Sequence, residues 1–514
     1  MAERRANILL ITSDQQHALA LGCRNPAVKT PNLDRLARGG TLFNRAYCPN
    51  PTCTPTRASI ITGLYPSQHG AWSLGTKLDE SVPTVGDALR TSGYRTALIG
   101  KAHFQPLAGT ADYSSLESPP VLQDLEFWRH YQGPFYGFEH FELLRNHADE
   151  QLVGQHYAIW MEERGFTEWR DCFRKPAGTA EPQFHTWNLP EKYHYNTWIA
   201  ERTAAALDRY AEEGDPFFLW ASFPDPHPPY LVPEPWASMY DPADMVLPEK
   251  PLPRELEKNP PHFALTQQRD PDFSEWRESG QGIHGMHSHR YDNATCYPGH
   301  EDEATARKAV AAYYGMISMM DHYIGRILDH LEQTGLVENT LVVFTSDHGH
   351  FYGQHGLVAK GPFHYEDLIR VPFITRMPGQ NNPGGESDSL LSLVDLAPTF
   401  LQYAGQPVPS RMSGISQLPV LTGEKDSVRS HVIVENRHEP TTIYLQTYVD
   451  ERYKLTVYYN HEYGELFDLR DDPGELDNRW DDPAYERIKE KLLLKFLHAE
   501  MGKAPLPMPR IAGA

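Results

Sequence analysis

The chain has 514 residues, a length that predicts one large α/β domain together with a smaller one. Hydrophobic residues make up 40% and charged residues 22% of the chain, which is the balance of a globular protein and excludes global disorder. The formal net charge of −21 argues against a nucleic-acid partner, because phosphate binding requires a basic face, and any pocket for an anion must be basic against the overall sign.

The N-terminus and the cysteines bear on compartment and on covalent chemistry. The apolar run Ile8–Ile11 is too short for the core of a signal peptide, and the sequence contains no stretch of about 18 apolar residues. The sequence therefore predicts a cytoplasmic protein with no membrane partner. The five cysteines are scattered and include no CxxC pair, which argues against a zinc ribbon, a thioredoxin motif or a disulfide framework.

Apolar runs of strand length alternate with helical repeats along most of the chain. The predicted strands lie at residues 7–12, 94–99, 217–222, 340–345 and 371–375. The predicted helices lie at residues 30–37, 56–62, 85–89, 303–333 and 393–403. This alternation predicts an α/β fold in which a large mixed, mostly parallel sheet is sandwiched by helices.

The remaining segments predict additions to that sheet. Residues 105–190 and 231–300 are rich in Pro, Trp, Tyr, His and Gly and lack clear periodicity, so we interpret them as insertions that wall an active site. Near the end come alternating β-like pieces and a terminal helix, at residues 431–435, 442–448, 453–459 and 484–499. We therefore predict a catalytic domain over residues 1–425 and a small C-terminal α+β domain over residues 426–514.

Polar side chains follow four of the predicted strands directly. They are Asp14 and Gln15, Lys101 and His103, His227, and Asp347 and His348. Any one of these residues, taken alone, is more often a helix cap or a packing residue than part of a site. Because the carboxyl ends of parallel strands meet at one edge of a sheet, where open α/β sheets bind their ligands, four such clusters favour a common site.

The first and last of these clusters predict a metal site. Asp14, Gln15, Asp347 and His348 offer three oxygen-bearing side chains and one imidazole. Oxygen-rich sets suit Ca²⁺ or Mg²⁺, and the imidazole and amide move the preference towards Mn²⁺ or Zn²⁺. We predict one divalent ion, with Ca²⁺ as the first choice and Mn²⁺, Mg²⁺ and Zn²⁺ as the alternatives.

Cys53 is the third feature that could take part in catalysis. A free cysteine is most often a buried structural thiol. Here the flanking residues are polar or proline rather than apolar, which favours a functional thiol. Arg57, one helical turn further on, would place a fixed cation beside whatever group occupies position 53.

The run Cys53-Thr54-Pro55-Thr56-Arg57 resembles the signature of the formylglycine-dependent sulfatases of the alkaline phosphatase superfamily. Further motifs resemble that family in the family's own order along nearly the whole chain. They are Asn7–Gln15, Lys29–Ala37, Gly100–His103, Pro226–Pro229, Thr345–Gly349 and Glu465–Leu469, followed by Asp472-Pro473 and Asn478. The combination is highly specific, and it implies a sulfatase-like fold and a sulfuric ester hydrolase.

The resemblance also implies how the nucleophile is built. Cys53 is oxidised to formylglycine by a maturation enzyme, and the hydrate of formylglycine attacks the sulfur of a small-molecule sulfate ester. Arg57 helps to hold the formylglycine and the metal site. A metal beside this group lowers the pKa of the nucleophile and polarises the ester. The implied metal ligands are Asp14, Gln15, Cys53, Asp347 and His348.

The same resemblance assigns the charge-stabilising and proton-transfer groups. Lys101 and Lys360 bind the sulfate oxygens and offset developing charge. His227 donates a proton to the leaving oxygen, and His103 then takes a proton from the second hydroxyl, which expels sulfate. The alternative for Lys360 is an ordinary solvated loop lysine.

Two positions depart from the family pattern. Gln15 stands where a second Asp is usual, and Thr56 stands where Ser or Ala is usual. Gln15 also occurs in the related phosphonate monoester and phosphodiester hydrolases, whereas Lys101 and His103 favour the sulfatases. Two alternatives therefore stay open: a phosphonate monoester or phosphodiester hydrolase that uses the same site, and a catalytically silent relative that binds a metal and an anion. Assembly into a homo-oligomer also stays open.

Overall fold

The structure is a computed structural model. It describes residues 6–145, 152–174, 184–249, 251–268, 274–276, 303–379, 383–437 and 441–504. Cys296 and much of the predicted insertion at 231–300 lie outside these residues. The four described cysteines, Cys23, Cys48, Cys53 and Cys172, are all free.

Eighteen strands are present in the described part of the chain. In chain order they are β1 (Asn7–Ser13), β2 (Thr41–Phe43), β3 (Ala46–Tyr47), β4 (Arg95–Lys101), β5 (His140–Leu144), β6 (Phe184–Thr186), β7 (Phe217–Ser222), β8 (Tyr230–Val232), β9 (Thr340–Ser346), β10 (Phe351–Tyr352), β11 (Val358–Ala359), β12 (Phe373–Arg376), β13 (Gly385–Ser387), β14 (Leu391–Ser392), β15 (Val432–Arg437), β16 (Tyr444–Val449), β17 (Tyr453–Tyr458) and β18 (Gly464–Asp468). Eight of them form the large sheet, in the order β13-β2-β12-β9-β1-β7-β4-β5. Only β12 runs antiparallel to its neighbours in this sheet, so the prediction of a mostly parallel sheet is confirmed.

The helices cover both faces of this sheet. They span Pro31–Arg38, Cys53–Thr62, Pro66–His69, Val85–Thr91, Leu125–His130, Gln155–Glu163, Trp169–Phe173, Tyr195–Glu213, Pro253–Lys258, Pro261–Thr266, Glu303–Gln333, Glu366–Ile369, Leu396–Tyr403, Leu418–Leu421 and Glu486–Gly502. Alternate residues of the central strand β1 enter two different cores: Leu9 and Ile11 join one cluster, and Ile8 and Leu10 join the other. Burial on both faces explains why β1 is a continuous apolar run rather than an alternating one.

A second, smaller sheet follows near the C-terminus. Its strands β15-β16-β17-β18 pair antiparallel in chain order. Leu492 and Phe496 of the terminal helix pack against Leu455 and Leu466 of this sheet. This antiparallel region agrees with the predicted α+β class, and the domain boundary at residue 425 stays a prediction.

The segment predicted as an insertion over residues 105–190 also contributes to the fold. Its strand β5 forms an edge of the large sheet, pairing parallel to β4 with Leu144 opposite Lys101. The remaining described parts of this segment include three helices. Its role as a wall of an active site stays a prediction. Among the described residues, no helix is both long enough and apolar enough to cross a membrane.

Candidate active site

The carboxyl edge of the large sheet brings the predicted strand-end residues together. In the register of β1, Thr12 lies opposite both Ser222 of β7 and Thr345 of β9. Asp14 and Asp347 therefore leave adjacent strands at the same level. Lys101 ends β4, which pairs with the other side of β7. Neighbouring parallel strands thus deliver these side chains to one place, as the sequence predicted.

Cys53 reaches the same edge from the first turn of the helix Cys53–Thr62. All ten residues of this helix are buried, so its position is fixed by packing on every side. The turn before it is fixed by short hydrogen bonds: the Asn50 amide donates to the Glu435 carbonyl at 2.6 Å, and the Thr56 hydroxyl donates to the Asn50 carbonyl at 2.5 Å. Thr56, a departure from the family pattern, therefore has a local structural role beside Cys53.

Three polar groups surround the Cys53 sulfur. Lys360 Nζ lies 3.2 Å from Sγ, and His348 Nε2 lies 3.3 Å from it. Asp14 Oδ1 accepts from the thiol at 3.6 Å. The thiol is 1% exposed. Burial, followed by the neighbouring Asp14 carboxylate, raises the pKa of Cys53. An unmodified thiol here is therefore held protonated, which makes it a poor nucleophile in its own right.

Arg57 ties the site together beneath Cys53. Its guanidinium is 0% exposed. It donates to Asp347 Oδ2 at 2.8 Å and to Asp14 Oδ2 at 3.1 Å. It also donates to the Lys101 carbonyl at 2.9 Å and to the Ser222 hydroxyl at 2.8 Å. A planar guanidinium satisfied on all sides fixes the relative positions of strands β1, β4, β7 and β9.

This cluster has an excess of positive charge, although the chain as a whole is negatively charged. Three cations, Arg57, Lys101 and Lys360, meet two carboxylates, Asp14 and Asp347. Burial alone would raise the pKa of Asp14, but the neighbouring cations, led by Lys101 with Nζ 2.5 Å from Oδ2, outweigh burial and hold that pKa well below its usual range. Burial lowers the pKa of Lys101, although Asp14 opposes this shift. The arrangement suits an anionic ligand.

The two imidazoles nearest to Cys53 present the same nitrogen to the pocket. His348 Nδ1 lies 2.9 Å from the Gly349 carbonyl and His227 Nδ1 lies 2.6 Å from the Pro228 carbonyl, so in both rings Nδ1 carries the proton and donates it. Each Nε2 then lies 3.3 Å from Lys360 Nζ. Burial and then Lys360 lower the pKa of His348 to about 4, so its Nε2 lone pair is available near neutral pH.

Four side chains could hold a cation at this place. Ligand atoms of Asp14, Cys53, Asp347 and His348 all lie within 4.8 Å of one another. Gln15 Nε2 donates to His350 Nδ1 at 2.9 Å, whereas Gln15 Oε1 is buried and accepts no hydrogen bond from any described residue. A buried amide oxygen without a donor is costly unless something else satisfies it. The donor set and this oxygen fit a divalent cation.

Three further predicted site residues are Lys360, His227 and His103. Lys360, which could have been a solvated loop lysine, is 2% exposed and touches the Cys53 sulfur. His227 reaches the cluster through Lys360. His103 follows Lys101 by two residues and is 6% exposed, with its backbone in the left-handed region at φ 57°.

Sequence reasoning missed two polar residues that support the cluster. Ser222 both accepts from Arg57 and donates to the Lys101 carbonyl at 2.7 Å. His350 holds the Gln15 amide and lies 2.8 Å from the Tyr230 hydroxyl through its other nitrogen. Ser222 ends a strand and His350 lies two residues beyond His348, so position along the chain was the signal that could have found them.

Two family models match the chain. The model described as Sulfatase matches residues 6–406. The model described as N-sulphoglucosamine sulphohydrolase, C-terminal, matches residues 353–501. The first model covers every residue of the cluster described above, and the second begins before Lys360.

Curated relatives match over almost their whole length. A multifunctional alkaline phosphatase superfamily protein of Trinickia caryophylli is 30% identical, with 97% of this chain and 96% of the relative covered. An arylsulfatase of Clostridium perfringens is 29% identical, with 96% of this chain and 94% of the relative covered. Among solved structures, the phosphonate monoester hydrolase of Silicibacter pomeroyi is similar with a TM-score of 0.78 and 26% identity, covering 98% of this chain and 96% of that one.

Proposed function

Because this chain belongs to the sulfatase family of the alkaline phosphatase superfamily, we propose that it hydrolyses a small organic sulfate monoester with a nucleophile derived from Cys53. The observation that carries the proposal is the position of the Cys53 sulfur, which lies between Asp14, His348 and Lys360. An anionic ester bound against Lys360 would meet the group at position 53 directly. The sulfatase match and the arylsulfatase relative support the choice of sulfate.

A divalent metal ion and a modified form of Cys53 complete this proposal. Asp14, Gln15, Asp347 and His348 would hold one divalent ion, with Ca²⁺ favoured by the excess of oxygen donors. The bound ion would supply electrostatic activation of the ester and of the nucleophile. Cys53 would be converted to formylglycine by a separate maturation enzyme, and the hydrate of that aldehyde supplies an oxygen nucleophile in place of a protonated thiol.

The side chains of this protein would then bind the anion and move protons. Lys101 and Lys360 would hold the sulfate oxygens, since both are buried cations beside Cys53 and Asp14. His227 would donate the proton that the leaving oxygen needs. His103 would accept the proton that must be lost before sulfate departs.

The donor role of His227 depends on the bound anion. Burial, followed by Lys360 and Lys101, holds the pKa of His227 well below its usual range, so without substrate its Nε2 is unprotonated. A sulfate ester between these lysines would compensate their charge and raise that pKa. Lys360 Nζ lies 3.3 Å from His227 Nε2, so a change in the charge around Lys360 acts on this imidazole directly.

A phosphonate monoester or phosphodiester hydrolase is the second candidate function. Gln15 favours it, because Gln at this position resembles the related phosphonate monoester and phosphodiester hydrolases. The similarity to the Silicibacter pomeroyi enzyme also favours it. Lys101, paired with Asp14 at 2.5 Å, and His103 are the residues that favour sulfate.

Comparing an aryl sulfate with an aryl phosphonate of the same leaving group separates the two candidates. We expect kcat/KM to be higher for the sulfate by about 10-fold or more, because the sulfatase match and the arylsulfatase relative favour sulfate. The same ratio in the Lys101→Met variant should fall. A wild-type ratio that favours the phosphonate would replace the first candidate by the second. Turnover of neither ester, together with an unmodified thiol at Cys53, would support a silent relative that binds a metal and an anion.

Removing the metal should lower thermal stability. Without the ion, Gln15 Oε1 stays buried without a donor and two carboxylates remain close together. We expect chelation to lower the melting temperature and added Ca²⁺ or Mn²⁺ to restore it, since saturating a site at about 100 times Kd contributes roughly 2.7 kcal/mol. Differential scanning calorimetry of the chelated and reloaded protein measures this shift.

Two neighbouring glutamines provide the matched pair for that measurement. Gln15→Ala should reduce the metal-dependent shift. Gln16→Ala should leave the shift unchanged. Gln16 Oε1 is also buried and accepts no hydrogen bond from the described residues, but the Gln16 amide lies beside the Ala20 carbonyl, 2.8 Å away, whereas the Gln15 amide lies beside His350. Equal shifts in both variants would contradict the assignment of Gln15 as a ligand.

A further inference from the structure

A buried ion pair lies beside the site without touching Cys53. Glu117 and Arg145 are 1% and 3% exposed, and Arg145 Nη1 donates to Glu117 Oε2 at 3.3 Å. Both residues belong to the segment predicted as an insertion. Burying two charges in one place is expensive, so a pair of this kind is retained where it holds something in position.

The Glu117 carboxylate collects backbone N–H groups from the segment that follows Lys101. Its Oε1 accepts from Phe104 N at 2.9 Å and from Gln105 N at 3.3 Å, and the backbone of His103 also donates to the carboxylate. His103 has a φ of 57°. A left-handed backbone at a residue other than glycine costs roughly 1 kcal/mol or more and persists only where its surroundings enforce it.

A second set of contacts closes the same segment onto Glu117. The Gln105 side chain accepts from Leu116 N at 2.6 Å and donates to the Tyr136 hydroxyl at 3.1 Å. The hydroxyl of Ser115 accepts from Glu117 N at 3.1 Å. Residues 115–117 and residues 103–105 are therefore joined through side chains in both directions.

Arg145 connects this arrangement to the sheet. It follows β5 directly, and because Leu144 lies opposite Lys101, Arg145 comes level with the start of the segment that carries His103. Burial lowers the pKa of Arg145, whereas Glu117 and then Cys53 and Asp14 oppose this shift, so the guanidinium lies within electrostatic range of the site. Its Nε is buried and donates to none of the described residues, so Glu117 is its principal anchor.

We infer that Glu117, held by Arg145, is a positioning residue that fixes the backbone of residues 103–105 and thereby presents the His103 imidazole to the pocket. The inference rests on the proposed function, in which His103 accepts the proton lost before sulfate leaves. Glu117 itself touches backbone groups and Arg145, and it takes no part in bond making or breaking.

Hydrogen exchange and kinetics of Glu117→Gln test this inference together. The side-chain amide of Gln accepts hydrogen bonds more weakly than a carboxylate and leaves Arg145 without a counter-charge. Hydrogen exchange of the backbone N–H groups of residues 103–105 should therefore accelerate about 10- to 100-fold. With an aryl sulfate, kcat should fall by about 10- to 100-fold while KM changes by less than about 3-fold. Because His103 acts late, the first turnover should still release the aryl alcohol at the wild-type rate.

Glu142→Gln is the matched control. Glu142 is a buried carboxylate of β5, 8% exposed, whose partners are Arg202 at 2.7 Å and His140 at 3.1 Å. It should change neither the exchange of that segment nor the ratio of first-turnover to steady-state rate. If Glu117→Gln does not fold, Glu117→Asp keeps the charge and withdraws the carboxylate, and the same effects should follow in weaker form.

The possible results separate this inference from the proposed function. Exchange can be measured in a Cys53→Ala background, which needs no turnover. Unchanged exchange of residues 103–105 would overturn the inference even in a fully active enzyme. Faster exchange with an unchanged kcat would also overturn it, because His103 would then need no positioning. A wild-type protein that hydrolyses no aryl sulfate would contradict the proposed function instead.

Discussion

Replacing Cys53 by alanine is expected to abolish hydrolysis of aryl sulfates, lowering kcat/KM by about 10⁴-fold or more. Alanine cannot be converted to an aldehyde, so the oxygen nucleophile would be missing altogether. The remaining cations would still bind the ester, because Lys101 keeps its ion pair with Asp14 and the substitution leaves both lysines in place. Steady-state kinetics with an aryl sulfate measures the loss.

Cys48→Ala provides the control for this variant. Cys48 is also fully buried and lies five residues earlier, but its sulfur contacts the Leu368 carbonyl at 3.9 Å rather than the charged cluster. Both alanine variants remove one buried sulfur and should change the free energy of unfolding by about 1–2 kcal/mol. Only Cys53→Ala should lose turnover. Retained activity in Cys53→Ala would refute the assignment of the nucleophile.

Arg57→Met should have the largest effect on stability. Methionine fills much of the same volume but leaves Asp14 and Asp347 without the guanidinium that lies 3.1 Å and 2.8 Å from their oxygens. Removing one partner of a fully buried ion pair costs about 3–5 kcal/mol, because an uncompensated charge is left behind. Urea unfolding of the metal-free protein measures the change in the free energy of unfolding, and activity should be lost as well.

A surface arginine shows what the same substitution does without burial. Arg90 is half exposed and lies 3.7 Å from Asp87, one turn away in its helix. Arg90→Met should change the free energy of unfolding by less than about 0.5 kcal/mol. If Arg57→Met were no more destabilising than Arg90→Met, the guanidinium would not be the group that holds the two carboxylates together.

Elements with a clear apolar run or a long helical repeat were predictable from local pattern. The strand Phe217–Ser222 and the helix Glu303–Gln333 have the bounds that the sequence predicted. A short continuous apolar run is typical of a buried strand, and a long repeat with three- and four-residue steps is typical of a helix. The predicted helix at residues 56–62 begins three residues earlier in the structure, at Cys53. Its first turn contains Thr54 and Pro55, whose helical role depends on position in the turn rather than on periodicity.

Other elements depend on partners that are distant in sequence. Strand β5 carries a buried Glu142, which its pairing with Arg202 and His140 makes tolerable. The helix Tyr195–Glu213 was not predicted, because its polar residues obscure the apolar face that joins the core through Ile199 and Leu207. The local propensity of a segment reveals neither the distant partner of a buried charge nor the face of a helix that packs into the core.

Some residues of the candidate site could likewise be predicted from the sequence, and others could not. Residues that follow strands, such as Asp14, Lys101 and Asp347, could be predicted because parallel topology alone gathers them. Glu117 and Arg145 could not, since each is an ordinary charged residue whose role appears only when its partner and the backbone of residues 103–105 are seen beside it. The sequence thus predicts where the chemistry lies better than it predicts what holds the chemistry in place.

The most direct test of the whole account is mass spectrometry of the peptide that contains Cys53. The protein should be produced in a host with active maturation machinery and digested without reduction of aldehydes. We expect a peptide with the mass of formylglycine or its hydrate at position 53, and a thiol at Cys48 in the same peptide or its neighbour. A peptide that carries only an unmodified thiol at position 53 would contradict it.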